Sequence, residues 1–372
     1  MPGSTYDLIV VGSGPAGLAA SIVASRLGLR VLLIDRYRHP RVKPCGGGLT
    51  QKSAAILRIL GFDPAEVVEF ECREVAIASF SGTYIVSHGE PLIRVSRREH
   101  FDERLFKYAL SMGVDFVKDE AVGLRQFKDH AIVYGRESSY EARWVIGADG
   151  APSRIGRLIG VTPRSHALAL MSIAKGPQPN LCLIDLTRVR WGYAWAFPLS
   201  SSEGDVGLGS AQWGRYVGVL EGFIRGLGMK PGAILGHMIP YRPPRRPGSG
   251  RVMLAGDALG VADPVTGEGI AQALLTGSLA ALSLKSTDPL AKYGLLVRDL
   301  INDLWMGVKV SYAVHLVDVQ LASRFLGTSA LGFREALGAL VRALEGRITY
   351  MDILRNMHKL AIRRLTAFNA KR

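Results

Sequence analysis

Apolar residues follow two rhythms along this 372-residue chain. A continuous run from Leu8 to Val11 ends in a glycine turn, helical spacing follows from about Ala16 to Leu27, and a second apolar run spans Val31 to Asp35. Strand, helix and strand in that order make a βαβ unit, because parallel neighbours need a helix-length crossover. Helical spacing returns from Gln51 to Leu60 and from Arg98 to Ser111, with strand-like residues from Val75 to Ser96 between them. From Val114 to Val145 apolar and polar residues alternate around loop signals, as in Ala131-Ile132-Val133-Tyr134. That alternation predicts a small antiparallel meander that rejoins the first sheet at Trp144 to Ile146.

Ala167 to Ser210 again favours strands, with Leu181-Cys182-Leu183-Ile184 and Ala194-Trp195-Ala196-Phe197 as apolar runs. Together with Val75 to Ser96 these are expected to form a second, antiparallel sheet. The proline- and arginine-rich stretch Tyr241 to Arg251 reads as a surface connection, after which Val252 to Ala255 re-enters the first domain as a buried strand. A long helix, Gly269 to Leu284, follows. Beyond Asp288 the pattern is helical to the end, with Leu337, Leu340, Val341, Leu344 and Ile348 on one face. The expected fold class is therefore α/β. A Rossmann-type domain from residues 1–74, 97–165 and 245–288 is interleaved with an antiparallel sheet domain from 75–96 and 166–244, and 289–372 form a helical region.

Composition narrows this picture. Nearly half of the residues (48%) are apolar, enough for a large core. The chain opens without the charged, apolar and small-residue pattern of a secretory signal, which points to the cytoplasm. The most apolar long stretch, Gly269 to Leu284, is 16 residues and contains Gln272, too short for a comfortable membrane span. Cys45, Cys72 and Cys182 are odd in number and scattered, so neither a zinc site nor a disulfide framework is expected. The formal charge of +14 suits anionic lipid, nucleic acid or acidic substrates without choosing among them. From Arg334 to Arg372 nine Lys or Arg face three Asp or Glu around the apolar stripe, a pattern equally suited to resting on an anionic membrane and to a packed helix with a solvated cationic face.

The chemistry begins at Gly12-Ser13-Gly14-Pro15-Ala16-Gly17, which follows a strand, opens a helix and precedes Asp35 by 18 residues. Gly12 permits a tight turn, Gly14 lets backbone approach a pyrophosphate, and Gly17 lets the helix pack closely on the strand. Free amides and the dipole at the helix N-terminus then stabilise phosphate charge. Asp35 is placed to accept from a ribose hydroxyl. The fingerprint alone does not separate FAD from NAD.

Two later turns, Ile146-Gly147-Ala148-Asp149-Gly150 and Leu254-Ala255-Gly256-Asp257-Ala258, end apolar runs, where open α/β sheets contact ligands. In that order they resemble the Asp-Gly and Gly-Asp motifs of the flavoprotein hydroxylases, of glutathione-reductase-type FAD domain and p-hydroxybenzoate hydroxylase fold. The resemblance implies FAD as cofactor, with Gly256 and Asp257 at its ribitol and Asp149 and Gly150 near both FAD and the nicotinamide path. It likewise implies that Gly267, Gly269 and Ile270, at the start of the long helix, lie against the isoalloxazine, that Arg98 contacts FAD with Arg97 as a competitor, and that Val122 meets the adenine.

Lys43-Pro44-Cys45-Gly46-Gly47-Gly48-Leu49-Thr50 resembles the Cys-Gly loop of the geranylgeranyl reductase family. In that family it lies against flavin and substrate, which implicates Cys45, Gly46 and Gly48. The family's Pro-x-x-Tyr-x-Trp-x-Phe-Pro motif is matched by Tyr193, Trp195, Phe197 and Pro198, with Arg190 in place of the first proline. Aromatic side chains suit a hydrocarbon pocket because they bury much apolar area with few torsions to freeze. The resemblance covers roughly residues 6 to 290 and implies saturation of C=C bonds in geranylgeranyl lipids or diphosphates. NAD(P)H or ferredoxin would supply electrons, an electron-donor protein being one possible partner.

In that reaction hydride goes to one alkene carbon and a proton to the other in a water-poor tunnel. Cys45 is the expected catalytic residue, as a proton relay or as a steric wall. An aromatic monooxygenase shares the glycine and Asp motifs and stays open. A quinone-linked electron-transfer flavoprotein would call for an iron-sulfur cysteine cluster, and nucleic-acid binding rests on charge alone with no reading motif.

Overall fold

The protein is described by a computed structural model that places residues 6–80, 82–316, 342 and 349–352. The stripe from Leu337 to Ile348 and most of the basic tail fall outside the described residues.

Leu8, Ile9 and Val10 are fully buried, as expected of a strand covered on both faces. Strand Tyr6–Val11 pairs in parallel with Val31–Asp35 on one side and Ser139–Gly147 on the other. Val252–Leu254 continues the parallel sheet past Ser139–Gly147. At the opposite edge Asp115–Lys118 pairs in parallel with Val31–Asp35, so this segment extends the main sheet rather than opening the meander. Its burial, two half-buried residues between two exposed ones, is that of an edge strand, which a sequence pattern does not separate from a meander strand. The meander proper is Gly123–Gln126 and Ala131–Tyr134, laid antiparallel onto the long strand Ser139–Gly147.

Helix Pro15–Arg26 crosses over this sheet and lies against helix Ile270–Ser283. Their approach tolerates no side chain. A Cβ on Gly277 would stand 2.0 Å from the Ala16 carbonyl oxygen; at the start of the first helix, a Cβ on Gly17 would stand 1.8 Å from the Gly12 carbonyl oxygen of the turn. Helix Pro289–Leu316 presents buried Tyr293, Val297, Ile301, Leu304 and Val308 along one face, and Tyr293 Oη donates to the Leu254 carbonyl at 2.7 Å.

The second sheet has seven strands in the order Leu235–Tyr241, Ser165–Lys175, Glu203–Ser210, Gly192–Pro198, Cys182–Asp185, Glu74–Ser79 and Gly82–Ser87. It is antiparallel except where Cys182–Asp185 runs parallel to Glu74–Ser79. Ile93–Val95, expected here, instead joins Gly48–Thr50 and Phe70–Cys72 in a separate three-stranded sheet. All three of its residues are buried, so its pattern carries no facing information that would assign it to either sheet.

Cys72 and Cys182 form a disulfide with Cα atoms 5.8 Å apart, contrary to the expectation of unpaired thiols. The parallel pairing places Cys182 opposite Val75, three residues from Cys72, and so closes a separation of 110 residues that spacing could not reveal. Thiol titration of the unfolded, unreduced protein is accordingly expected to count one cysteine, Cys45, and to count three after reduction. Gly277→Ala should lower stability by on the order of 1–3 kcal/mol through forced separation of the two helices, seen as a lower thermal midpoint.

Candidate functional site

Three stretches far apart in sequence meet in one cleft. The first is the glycine turn. Gly12 has φ +106°, and a Cβ there would strike the Ala148 carbonyl, so the turn requires glycine. Gly14 has neither reason: its φ is −81°, and a Cβ would meet nothing nearer than Arg41 Nη2 at 3.7 Å. What Gly14 leaves open is cleft, lined also by Pro15 and Ala16. Asp35 stands at the next strand end, where it accepts from Ser13 N at 2.6 Å, Ser13 Oγ at 2.7 Å and Tyr37 N at 2.9 Å.

The second stretch is the loop from Lys43 to Gly48. Gly47 has φ +65° and no room for a Cβ beside the Ser96 carbonyl. Gly46 lies against the Trp195 indole, where a Cβ would come within 2.9 Å of Nε1, and Gly48 lies against Phe197. The Cys-Gly loop and the aromatic strand are thus one packed unit. Cys45 carries the free thiol among the described residues, lines the cleft, and its Sγ accepts weakly from Gly47 N at 3.4 Å.

The third stretch opens helix Ile270–Ser283. Gly267 has φ +69° and packs against the Tyr193 hydroxyl, which donates to the Thr266 carbonyl. Like Gly14, Gly269 has open space beside it and lines the cleft with Gly267 and Ile270. Helices Pro15–Arg26 and Ile270–Ser283 both begin without a side-chain cap, whereas Thr50 and Ser153 cap the helices that follow them. Two sets of unpaired amides therefore face the same cleft, where they suit a pyrophosphate at one end and an electron-rich carbonyl at the other.

Ion pairs border this cleft. Asp257 lies 3.4 Å from Lys43 Nζ and 3.8 Å from His237 Nε2. Burial works against its charge, but Lys43 and then His237 hold it well below the usual carboxylate range. Arg98 forms a two-pronged bond with the fully buried Asp102, at 3.0 and 2.8 Å, and lines the cleft beside Cys45. Burial disfavours both charges, yet each holds the other ionised. Arg97 turns away to Glu69 and Glu203, at 2.5 and 2.6 Å. Asp149 is spent on local structure, accepting from Ser153 Oγ, Arg154 N and Ile155 N, although its neighbours Ala148 and Gly150 reach the cleft. Val122 donates its N–H to the Tyr134 carbonyl at 2.7 Å and does not line the cleft.

A second cavity of about 420 Å³ lies between the seven-stranded sheet and helix Pro289–Leu316. Tyr193, Trp195, Ile239, Val265 and Gly267 border both spaces. The rest of its wall includes Trp191, Tyr241, Val308 and Tyr312, with the Trp191 and Tyr312 rings edge to face at 5.3 Å. Sequence reasoning missed Lys43, His237 and these distal aromatics, since nothing local marks a residue whose role arises from packing between remote strands. It also missed Asp205, which accepts from Trp195 Nε1 at 2.9 Å and is pushed up to about 8 by burial.

The cleft fits FAD. Gly14 and Gly269 are open where a dinucleotide and a flat ring would lie, and uncapped amides stand at both ends. The FAD binding domain family matches residues 5–179. A menaquinone reductase of Mycobacterium tuberculosis is 31% identical over 76% of this chain and 77% of its own. A digeranylgeranylglycerophospholipid reductase of Thermoplasma volcanium is 30% identical over 79% and 84%. The solved structure of a geranylgeranyl bacteriochlorophyll reductase-like protein of Thermoplasma acidophilum superposes with TM-score 0.76 and 25% identity, covering 86% of this chain and 90% of its own.

The chain belongs to the geranylgeranyl reductase family. It is an FAD-dependent oxidoreductase with that family's fold, the Rossmann domain, antiparallel sheet and following helix described above. A flavin-dependent brominase shares the fold alone, with TM-score 0.73 at 19% identity over 96% of this chain and all of its own. No helix among the described residues of this geranylgeranyl reductase family member is long and apolar enough to cross a membrane.

Asp205 supplies a pH test. Its folded value lies above its unfolded one, so the folded protein keeps a proton that the unfolded chain releases. Its contribution should therefore make stability fall as pH rises from about 4 to about 8 and level off above. Asp205→Asn, which retains an acceptor for Trp195, should flatten that slope in denaturant titrations across the same range.

Proposed function

We propose that the protein reduces isolated C=C bonds of geranylgeranyl chains in isoprenoid lipids or diphosphates. The supporting observation is the second cavity, whose aromatic wall meets the cofactor cleft at Tyr193 and Trp195. Reduced FAD supplies the hydride in this chemistry, with NAD(P)H or ferredoxin as the external source of electrons.

The protein's own side chains bind, align and dry the alkene. An unactivated alkene has no carbonyl to polarise, so alignment within the cavity and exclusion of water carry the catalytic burden. Trp195 is well suited to alignment, since its indole is held by Asp205 on one side and wedged against Gly46 and Gly207. Tyr193, tied to Thr266, links the same wall to the flavin loop. Both tyrosine and buried aspartate stay protonated at neutral pH, so the wall shared by the two spaces adds no net charge where the alkene would lie. Cys45 stands on the cofactor side of that wall and is the group we assign to relay a proton. A chain of net charge +14 also favours work at the inner face of an anionic membrane, where such lipids reside.

Anaerobic reduction of the purified flavoprotein followed by geranylgeranyl diphosphate is expected to reoxidise the flavin and raise product mass by two hydrogens per step. A flavin that stays reduced with every prenyl compound, yet reacts with oxygen when an aromatic acid is present, would replace this reading with a monooxygenase. Cys45→Ala should slow turnover at least tenfold if the thiol relays the proton, whereas unchanged turnover in Cys45→Ala and Cys45→Ser leaves it only a steric role.

A further inference from the structure

Just past Tyr241, beyond the residues that line the second cavity, stand two arginines with no acid to pair with among the described residues. Strands Ser165–Lys175 and Leu235–Tyr241 run antiparallel, with Ala167 opposite Ile239 and Ser165 opposite Tyr241. Ala167, Ile239 and Tyr241 line the cavity. One residue further, Arg164 N donates to the Arg242 carbonyl at 3.1 Å. Both guanidiniums then turn to Trp305, with Arg242 5.0 Å and Arg164 5.9 Å from the ring centroid. Trp305 precedes the cavity-lining Val308 and Tyr312 by three and seven positions on one helix, so all three share a face. Its indole is fixed by donation to the Pro243 carbonyl at 3.1 Å.

Three further observations single out this end. Among the described residues no carboxylate lies within ion-pairing distance of Arg164 or Arg242. Arg242 Nη1 reaches Ser165 Oγ only at 3.4 Å, and its Nε is buried without a partner. Among the described residues other than glycine, Arg242 (φ +62°) and Trp191 (φ +56°) alone adopt left-handed backbone, and both belong to this cavity's surroundings. Such backbone gathers at ligand sites because the surrounding structure must enforce it. The acid that does line the cavity, Asp263, is occupied by the Tyr350 hydroxyl at 2.7 Å and by Val265 N and Thr266 N.

Two like charges over one ring repel each other unless an anion joins them. We propose that Arg164 and Arg242 form a subsite for the phosphate of a prenyl phosphate, diphosphate or phospholipid. The chain would run from there past Tyr241 and Trp191 to Trp195 and the cofactor cleft. This assignment rests on the prenyl-reductase reading and adds a head group to it: phosphate fits the paired guanidinium donors, whereas an uncharged quinone ring would leave both unpaired.

The test compares affinities of the FAD-loaded full chain for geranylgeranyl diphosphate and geranylgeraniol, with inorganic pyrophosphate as a free-anion competitor. Arg164→Gln and Arg242→Gln should each weaken the diphosphate about tenfold and leave the alcohol within about twofold. Flavin absorbance and the thermal midpoint report whether each variant is folded. The unmodified protein gives an independent reading, because added salt should weaken the diphosphate but not the alcohol, and pyrophosphate should compete with the diphosphate. Equal loss for both ligands, no loss for either, or salt-independent binding that ignores pyrophosphate would each overturn the subsite. If both prenyl compounds are reduced with equal affinity, the subsite fails and the reductase reading stands. Pyrophosphate binding that is lost in both variants, with no prenyl compound bound or reduced, keeps the anion site and overturns the reductase reading.

Discussion

The cofactor cleft depends on how closely helix Pro15–Arg26 and helix Ile270–Ser283 approach each other. Their contact is backbone against backbone at Gly277 and Ala16, and Gly256 fits under the same joint because a Cβ there would meet Ala16 Cβ at 2.8 Å. Thr276 reinforces it by accepting from Gly256 N at 3.0 Å while donating to the Gln272 carbonyl. Van der Waals attraction is weak per atom pair and falls off steeply, so a contact this close gathers many pairs while fixing helix position tightly. Two helix starts more than 250 residues apart in sequence are thereby aimed into one space. Without that approach neither set of free amides would define a binding site.

The sheet domain joins this frame through aromatic residues. Trp195 is accommodated because glycine stands at 46 on the loop and at 207 on the adjacent strand, where any Cβ would strike its ring. The same indole needs a partner for its N–H, and Asp205 supplies it from within the sheet. A buried carboxylate there would carry an uncompensated charge, so the acid keeps its proton and serves as a neutral acceptor. Packing, hydrogen bonding and protonation state thus agree in holding one ring at the wall shared by the two spaces.

Much of this could be read from sequence because it is local. The glycine turn, the helix Arg98–Ser111 and the strand carrying Tyr193, Trp195 and Phe197 stand where spacing predicts them. Resemblance alone prefers Arg98 over its neighbour Arg97, and it is tertiary packing that turns one to Asp102 and the other to Glu69 and Glu203. Asp149 shows the reverse limit: a carboxylate at a strand end next to a cofactor cleft can be consumed by the helix that follows it. The disulfide was invisible because parallel pairing of Cys182–Asp185 with Glu74–Ser79 is a long-range event. His237, Arg164 and Arg242 were invisible for the same reason, lying on or beside a pair of antiparallel strands 70 residues apart.

Charge is distributed to suit a reaction that must exclude water. Along the cofactor cleft, cations meet acids: Lys43 with Asp257, Arg98 with Asp102, Lys52 with Glu268 at 3.1 Å. Such pairs tolerate a drying cleft because each charge has a fixed partner. Toward the second cavity Tyr193 on the shared wall, and Asp205 behind Trp195, are instead neutral. An alkene that develops positive character there meets no lysine or arginine among the lining residues, and the carboxylate that does line the cavity, Asp263, is held by Tyr350, Val265 N and Thr266 N. Beyond Tyr241 stand Arg164 and Arg242, without a carboxylate partner among the described residues, at a distance set by the strands rather than by any loop. Rigid strands fix how far that end lies from the flavin loop, and so which part of a bound chain can reach it.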